Sequence, residues 1–248
     1  MSLGPKIGHL DGVLPEGEIH VWHANLAVPE QAIDRLLKLL DTDEQSRAAR
    51  FLVAHAREQY IVSHAFLRVV LGRYLQIQPL AIRFSTTANG KPELADGGNL
   101  RFNLSHTDGS AAIALAHGRR VGIDVERIRD NLNPLELATR FFSAQECDWL
   151  RSQPVSERLH AFFACWTAKE AYIKACGEGL SMGLAGFAVI PKARNAQLEL
   201  EIYGQPEQSK NWLIQQLDFQ PGVCAAVAVE AGDLAIRIGE WSSSDGNG

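Results

Sequence analysis

The sequence predicts an α+β fold of two similar α/β halves related by pseudo-twofold symmetry, each a small sheet packed on a long helix. Two long helical patterns, near residues 54–74 and 156–176, support this prediction. A short apolar segment adds to it, because residues 109–116 resemble residues 222–229, about half a chain length later. The alternative is that two strands of small residues resemble each other by chance. Two such halves would form a ligand cleft at their interface.

The first half begins with a predicted strand and three predicted helices. Alternating apolar residues predict a strand over 19–26, and helical spacing predicts a helix within 30–40. Asp41, with Glu44 three residues later, has the form of a cap that starts a second helix. Apolar side chains on one face then predict the long helix over about 54–74.

Short strands follow these helices. The predicted strands are residues 81–85, 100–104, 111–116 and 121–126, the last of which opens the second half. Asn89-Gly90 and Asp96-Gly97-Gly98 mark turns between the first two of them.

The second half is predicted to continue with helices and to finish with strands. Ser143 with Glu146 has the form of a capping box, which places a helix start there. The predicted helices are residues 134–141, 144–151 and 156–176, and the predicted strands are 186–190, 198–203, 212–218 and 223–229. We therefore divide the chain into halves over 1–118 and 119–248, with a flexible polar tail from about residue 242.

Composition limits the possible functions. The 248 residues are 46% hydrophobic and 21% charged, as in an ordinary globular protein. A net charge of −5 argues against a nucleic-acid surface. No apolar run approaches the roughly 18 residues that a membrane span needs. The four cysteines have no zinc-like spacing. We therefore predict a cytoplasmic protein that binds neither nucleic acid nor a membrane.

The segment around Glu170 and Lys174 is the most informative part of the chain. Positions four residues apart on a helix share a face, so Trp166, Glu170 and Lys174 are expected to project together. Apolar and aromatic residues surround them in the sequence, which predicts a largely buried helix. Ionised groups on such a helix must be paired or take part in function.

A second acidic pair lies upstream, at Asp124 and Glu126. Side chains two residues apart on a strand point to the same face, so the carboxylates repel unless a cation lies between them. Carboxylate oxygens are ligands that suit Mg²⁺. The alternative is an edge strand with solvated acids, which is the better reading of a lone acidic pair. A third carboxylate, from Glu170, shifts the balance toward a metal site.

Groups suited to phosphate binding occur elsewhere. Ser105 and His106 end a predicted strand and precede a turn, so hydroxyl, imidazole and backbone amides could form a phosphate cradle. Lys91 lies on another turn, and Arg50 and Arg57 lie on or near helices of the first half. Arginine suits bidentate phosphate contacts. For each of these residues the alternative is a structural or solvated role.

Five motifs, taken in order, resemble those of the 4′-phosphopantetheinyl transferases of the surfactin-synthetase type. They are GKP at 90–92, FNLSH at 102–106, VGIDVE at 121–126, RFFS at 140–143 with Glu146, and WTAKEAYIK at 166–174. The resemblance extends over roughly residues 19–230. The chain length also resembles that of the single-chain members, in which one chain forms both halves of a pseudodimer. The resemblance implies the fold of that family and a monomer.

The resemblance further implies an activity. The family transfers the 4′-phosphopantetheine arm of coenzyme A to a serine of an apo acyl or peptidyl carrier protein, with Mg²⁺, and releases 3′,5′-ADP. Its members serve fatty-acid, polyketide or nonribosomal peptide biosynthesis. One alternative is a non-catalytic module that binds coenzyme A or a nucleotide. Another is a Mg²⁺-dependent phosphohydrolase on an unrelated scaffold.

Matching positions imply which residues hold the metal and perform catalysis. Asp124, Glu126 and Glu170 would hold Mg²⁺ against the pyrophosphate of coenzyme A. Glu170 would act as base, ligand or both. Lys174 would be catalytic and, like Asp124, would contact coenzyme A.

Matching positions also imply a nucleotide site. Lys91, Ser105 and His106 would grip the nucleotide, with His106 on the 3′-phosphate. The family often has a basic helix before its first long helix, and here that region contains arginines but no lysine. Arg50 and Arg57 are assigned to the nucleotide in its place.

Overall fold

The first half contains a strand, three helices and four further strands. The computed structural model describes residues 10–96, 98–177, 183–191, 197–230 and 234–244. The elements are β1 (Glu18–Asn25), α1 (Glu30–Leu37), α2 (Thr42–Ala48), α3 (Ala54–Leu75), β2 (Phe84–Thr86), β3 (Pro92–Leu94), β4 (Leu100–Thr107) and β5 (Ser110–His117). The three predicted helices of this half are all present.

One predicted strand of the first half is displaced. The sequence predicts a strand over 81–85, whereas residues 79–81 form a 3₁₀ turn and the strand begins only with β2. Arg68 explains the difference, because its Nη1 donates to the carbonyl oxygens of Pro79 (2.9 Å) and Ile82 (3.0 Å). Those carbonyls bond to a side chain instead of a neighbouring strand.

The second half contains the helices and strands predicted for it, together with one more strand and one more short helix. Its elements are β6 (Val121–Arg127), α4 (Pro134–Phe141), α5 (Ala144–Ser152), α6 (Arg158–Cys176), β7 (Phe187–Pro191), β8 (Gln197–Ile202), α7 (Pro206–Ser209), β9 (Trp212–Leu217), β10 (Val223–Glu230) and β11 (Ala235–Trp241). Among the described residues, no helix of either half is long and apolar enough to cross a membrane.

Both capping boxes expected from the sequence are confirmed. The Asp41 side chain accepts from the backbone of Glu44, whose carboxylate accepts from the Asp41 backbone in return. Ser143 and Glu146 form the same reciprocal pair at the start of α5. Each box satisfies backbone donors that the first helical turn leaves free.

The additional strand, β11, joins the sheet of the first half. It pairs in parallel with β1, from Ala235 beside Glu18 to Trp241 beside Ala24. Trp241 is buried and packs on Phe66 of α3, with 5.3 Å between ring centroids. The end of the chain therefore completes a sheet that its beginning starts, and the division at residue 119 stays a prediction.

Two predictions fall partly outside the described residues. These are the turn at residue 97 and the tail over residues 245–248. Of the predicted tail, Ser243 is described, and its carbonyl oxygen accepts from Arg35 Nη2 at 2.7 Å.

A shared apolar core joins the two main sheets. Their strand orders are β11-β1-β5-β4 and β6-β10-β9-β8-β7, and β2 and β3 form a separate hairpin. Alternate side chains of both sheets are buried together, among them Ile19, Val21, Ala114, Ile123, Val125 and Val227. The opposite face of the first sheet packs on α3, and that of the second packs on α6. The edge strands β4 and β6 meet where these layers join.

Candidate active site

The two halves meet along β4 and β6 through a ladder of side-chain hydrogen bonds. Three polar side chains of β4 accept from backbone amides of β6 at alternate residues. The bonds are Ile123 N to Asn103 Oδ1 (2.8 Å), Val125 N to Ser105 Oγ (3.3 Å) and Arg127 N to Thr107 Oγ1 (3.1 Å). This ladder replaces the backbone pairing of a continuous sheet and fixes the register of β4 against β6.

Asp124 lies within this seam and is 4% exposed. Its Oδ1 accepts from Lys174 Nζ (2.6 Å) and from Ser105 Oγ (2.9 Å), and Lys174 Nζ also donates to Ser105 Oγ (3.0 Å). Its Oδ2 is buried and lacks a hydrogen-bond partner in the described part of the structure. A buried carboxylate oxygen without a donor is costly, so it marks a place that suits a cation.

Gly122 allows α6 to approach β6 closely enough for this contact. A Cβ atom at Gly122 would lie 2.2 Å from the carbonyl oxygen of Ala171 and 2.4 Å from the amide nitrogen of Ala175. Only a residue without a side chain fits between the two backbones. Lys174 lies on the same turn of α6 as these two alanines, and Asp124 lies two residues after Gly122 on β6. The close approach of the backbones therefore lets Lys174 reach Asp124.

Glu126 on β6 and Glu170 on α6 are half-buried, and with Asp124 they make up the acidic cluster. Burial raises the pKa of Glu126, and the charge of Asp124 raises it further. Burial also raises the pKa of Glu170, again reinforced by Asp124, while Lys174 opposes the shift. The three carboxylates therefore repel one another. Within the described ranges, however, no three acidic, histidine or cysteine side chains stand close enough together to ligate one metal ion.

A cavity of about 240 Å³ opens beside the acidic cluster. Its lining combines the β2–β3 turn with the seam and includes Asn89, Gly90, Lys91, Asn103, Glu170 and Lys174. Lys91 lines this cavity, but its Nζ donates to the backbone carbonyls of Lys174 (2.7 Å) and Val121 (3.0 Å). Burial lowers the pKa of this lysine.

The other predicted nucleotide contacts lie further out. His106 is exposed on β4; exclusion of water by the surrounding protein lowers its pKa, and the positive charges of His64 and Lys174 lower it further. Arg50 is exposed just beyond α2 and lines a separate cavity of about 720 Å³. Arg57 is half-buried in the first turn of α3. The structure brings Ser105 to the acidic cluster, whereas neither arginine forms a described hydrogen bond with that cluster.

A buried ion pair that the sequence analysis missed holds α6 beside the site. Lys169 and Glu146 are both fully buried, with Lys169 Nζ 2.7 and 2.8 Å from the two carboxylate oxygens. Lys169 also donates to Phe187 O (2.7 Å), and Glu146 accepts from Val189 N (2.8 Å). The pair ties α5, α6 and β7 together next to Glu170. The capping box was the available signal, but it predicts only the local partner of Glu146.

Both halves of the chain match known protein families. Residues 120–228 match the family model described as the 4′-phosphopantetheinyl transferase superfamily, and residues 27–117 match the one described as 4′-phosphopantetheinyl transferase, N-terminal.

Individual relatives match across much of the chain. The 4′-phosphopantetheinyl transferase HetI of a Nostoc species is 38% identical over 66% of this chain and 70% of its own length. The 4′-phosphopantetheinyl transferase Sfp of Bacillus subtilis is 30% identical over 84% of this chain and 92% of its own length. The 4′-phosphopantetheinyl transferase psf-1 of Bacillus pumilus is 31% identical over 79% of this chain and 81% of its own length.

Proposed function

The chain belongs to the 4′-phosphopantetheinyl transferase superfamily, and from this we propose that it transfers the 4′-phosphopantetheine arm of coenzyme A to a serine of an apo carrier protein. We further propose that the reaction requires Mg²⁺ and releases 3′,5′-ADP. The observation that carries the proposal is the contact between Lys174 and Asp124 at the seam, with Glu170 on the same helix beside them.

The groups at the seam fit a hard divalent cation. Asp124 Oδ2 is a buried oxygen without a donor among the described residues. Burial, reinforced by the charge of Asp124, raises the pKa of Glu126 and of Glu170. Carboxylate oxygens supplemented by water are the usual ligands of Mg²⁺. We propose that Asp124, Glu126 and Glu170 hold the ion, which requires the two half-buried glutamates to rotate toward Asp124. Bound there, Mg²⁺ would offset the negative charge of the pyrophosphate.

Glu170 is the proposed general base, and Lys174 the proposed electrostatic partner of the leaving group. The serine oxygen of the carrier bonds to the phosphorus that bears the pantetheine arm, and its proton passes to Glu170. The bond from that phosphorus to the oxygen of 3′,5′-ADP breaks, and the electron pair leaves with the nucleotide. In the metal-free protein, burial raises the pKa of Glu170, and a carboxylate with a raised pKa is a stronger base. Lys174 stabilises the charge that develops on the departing phosphate.

The nucleotide is proposed to occupy the cavity of about 240 Å³ beside the β2–β3 turn. The backbone and aliphatic stem of Lys91 would line it, and Ser105 would face the pyrophosphate with Asp124 and Lys174. His106 follows Ser105 on β4 and is exposed, which suits contact with the 3′-phosphate.

Two arginines are proposed to add positive charge at the same phosphate. Arg50 lies just beyond α2 with an exposed side chain, and Arg57 lies in the first turn of α3 with a half-buried one. Guanidinium groups can bond two phosphate oxygens at once.

The proposal is tested by mixing the protein with coenzyme A, Mg²⁺ and a panel of apo acyl and peptidyl carrier proteins, and weighing the carriers by mass spectrometry. At least one carrier should gain the mass of one phosphopantetheine. Replacing Asp124 with alanine should abolish the gain while the circular dichroism spectrum stays unchanged. Full activity of that variant would refute the role of the acidic cluster.

Other outcomes identify the alternatives. Binding of coenzyme A without modification of any carrier would favour a non-catalytic module. Release of phosphate or phosphopantetheine in the absence of a carrier would favour a phosphohydrolase. We also propose a cytoplasmic monomer, which sedimentation and cell fractionation would test.

A further inference from the structure

The turn between β2 and β3 caps the C-terminal end of α6. Asn89 Nδ2 donates to the carbonyl oxygen of Gly177 (2.8 Å), and Lys91 Nζ donates to that of Lys174 (2.7 Å). Carbonyl groups in the last turn of a helix have no partner within the helix, and a positive charge is favourable beside them. A loop of the first half therefore completes a helix of the second.

The ammonium of Lys91 also reaches β6, where it donates to the carbonyl oxygen of Val121 (3.0 Å). Val121 begins the strand that carries Asp124, and Lys174 lies near the end of the helix. Lys91 thus bonds the backbones of the two elements whose side chains meet at 2.6 Å, between Lys174 Nζ and Asp124 Oδ1. Gly122 keeps these backbones in contact at the same level.

Lys91 ends a turn that hydrogen bonds to Thr87 hold together. Its carbonyl oxygen accepts from Thr87 N (2.9 Å), and its amide donates to Thr87 Oγ1 (3.1 Å). Gly90 N donates to Thr87 O (2.9 Å), and Gly90 adopts a φ of 80°, which glycine tolerates without strain. The position of the ammonium is therefore set by the turn and by its two carbonyl partners.

We propose that Lys91 is a positioning residue that fixes Lys174 relative to Asp124. An ammonium group has three donors, and two of those of Lys91 are bonded to backbone carbonyls. The lysine of the GKP motif therefore acts on the reaction through the geometry of Lys174, and the nucleotide meets its stem and backbone. The inference deepens the proposed function, and its kinetic test depends on that function.

The kinetic test replaces Lys91 with methionine, which keeps the length of the side chain and removes its donors. A displacement of a catalytic group by about 1 Å can cost roughly 10²-fold in rate, so kcat should fall by about that factor. The KM for coenzyme A should stay nearly unchanged, and Lys91→Arg should recover much of the loss. A raised KM for coenzyme A with an unchanged kcat would overturn the inference, because it would mean that the ammonium binds the nucleotide.

A double-mutant cycle separates positioning from a general loss of structure. If Lys91 acts through Lys174, the pair Lys91→Met with Lys174→Met should be no slower than Lys174→Met alone. Additive losses in the double variant would overturn the inference. Lys210→Met is the matched control, since Lys210 is exposed and pairs only with Glu207 among the described contacts, and it should leave kcat and KM unchanged.

A measurement without turnover distinguishes failure of this inference from failure of the proposed function. The ¹³Cε resonance of Lys174, assigned by its loss in Lys174→Met, should shift in Lys91→Met and stay in place in Lys210→Met. An unshifted resonance in folded Lys91→Met would overturn the inference even if the wild type modifies carriers. A shifted resonance in a protein that modifies no carrier would uphold the positioning role and reject the transferase activity.

Discussion

The two halves use the same device to anchor their long helices. In the first half, the capping-box residue Glu44 accepts from Arg68 Nε of α3 at 2.6 Å. In the second half, the capping-box residue Glu146 accepts from Lys169 Nζ of α6 at 2.7 Å. Both cations are fully buried. In each half, the glutamate that caps the start of a short helix thus also binds a buried cation. That cation belongs to the long helix that follows.

The halves differ in the residues that lie beyond the buried cation on the long helix. In α6, Glu170 is next to Lys169, and Lys174 lies five positions after the cation, both at the seam. The positions that correspond in α3 are Val69, which is buried, and Arg73, which stacks over the Trp22 ring. The anchoring device is therefore common to both halves, whereas the proposed chemistry belongs to α6 and β6, with β4 and the β2–β3 turn supplying contacts from the other side.

The largest expected effect tests whether chemistry resides on α6. Glu170→Gln removes the proposed base and keeps the shape of the side chain, so the transfer rate should fall by about 10²–10⁴-fold. The rate is measured as carrier modification by mass spectrometry. Glu58→Gln, a half-buried glutamate of α3, is the control and should leave the rate unchanged. Equal losses of transfer rate in Glu170→Gln and Glu58→Gln would contradict the assignment of the chemistry to α6.

The second prediction compares the two buried cations. Lys169→Met leaves Glu146 fully buried and without its cation, so it should cost about 3–5 kcal/mol of unfolding free energy. Arg68→Met should cost less, about 1–3 kcal/mol, because Glu44 is partly exposed and keeps its contact with His64. Urea unfolding measures both. A larger loss of unfolding free energy for Arg68→Met than for Lys169→Met would contradict this explanation, which ties the cost to the burial of the glutamate left behind.

The third prediction concerns the close approach of β6 and α6. Gly122→Ala forces a methyl group against backbone atoms of α6 and should destabilise the fold by about 1–3 kcal/mol, with a parallel loss of transfer activity. Gly186→Ala is the control, because a Cβ there meets nothing within 4 Å. Thermal unfolding and the carrier assay are measured on both. A stable and active Gly122→Ala variant would contradict the packing described for the seam.

The smallest expected effect concerns the pH dependence of stability, which arises from the buried imidazole of His23 and its neutral partner Ser110. His23 bonds to Ser110 Oγ (3.1 Å), and burial lowers its pKa to about 4. Because the folded state resists protonation of His23, its contribution to the free energy of unfolding is fully present well above pH 6.5 and is lost as the pH falls toward 4. At pH 6 the free energy of unfolding should be about 1 kcal/mol lower than at high pH. Urea unfolding between pH 5 and 7.5 measures it. In His23→Gln this contribution should vanish; an unchanged pH dependence would exclude His23 as its source.

Local patterns predicted most of the fold. An apolar face located α3, and a segment rich in apolar and aromatic residues located α6. The paired residues Asp41 with Glu44 and Ser143 with Glu146 located two helix starts. The strand β11 escaped because its partner β1 lies at the other end of the chain, and strand pairing over such a separation leaves no local pattern. The family predicted from the five motifs is confirmed by the matches to known proteins.

For the candidate site, the sequence indicated individual residues but not their arrangement, and the roles of those residues stay predictions. Helical spacing indicated Glu170 and Lys174, and strand alternation indicated Asp124. The contact of Ser105 with Asp124 depends on how two edge strands lie side by side, which spacing does not report. The same holds for Lys91, whose carbonyl partners lie on elements distant from it in the sequence.

The most direct test of the acidic cluster uses Mn²⁺ as a paramagnetic substitute for Mg²⁺. Electron paramagnetic resonance, in the presence of coenzyme A, should detect Mn²⁺ bound to the wild type and to Asp43→Asn, which changes an exposed acid of the first half. Binding should be lost in Asp124→Asn. Undiminished binding in Asp124→Asn, or no binding to the wild type, would contradict a metal site built from the strand and helix of the second half.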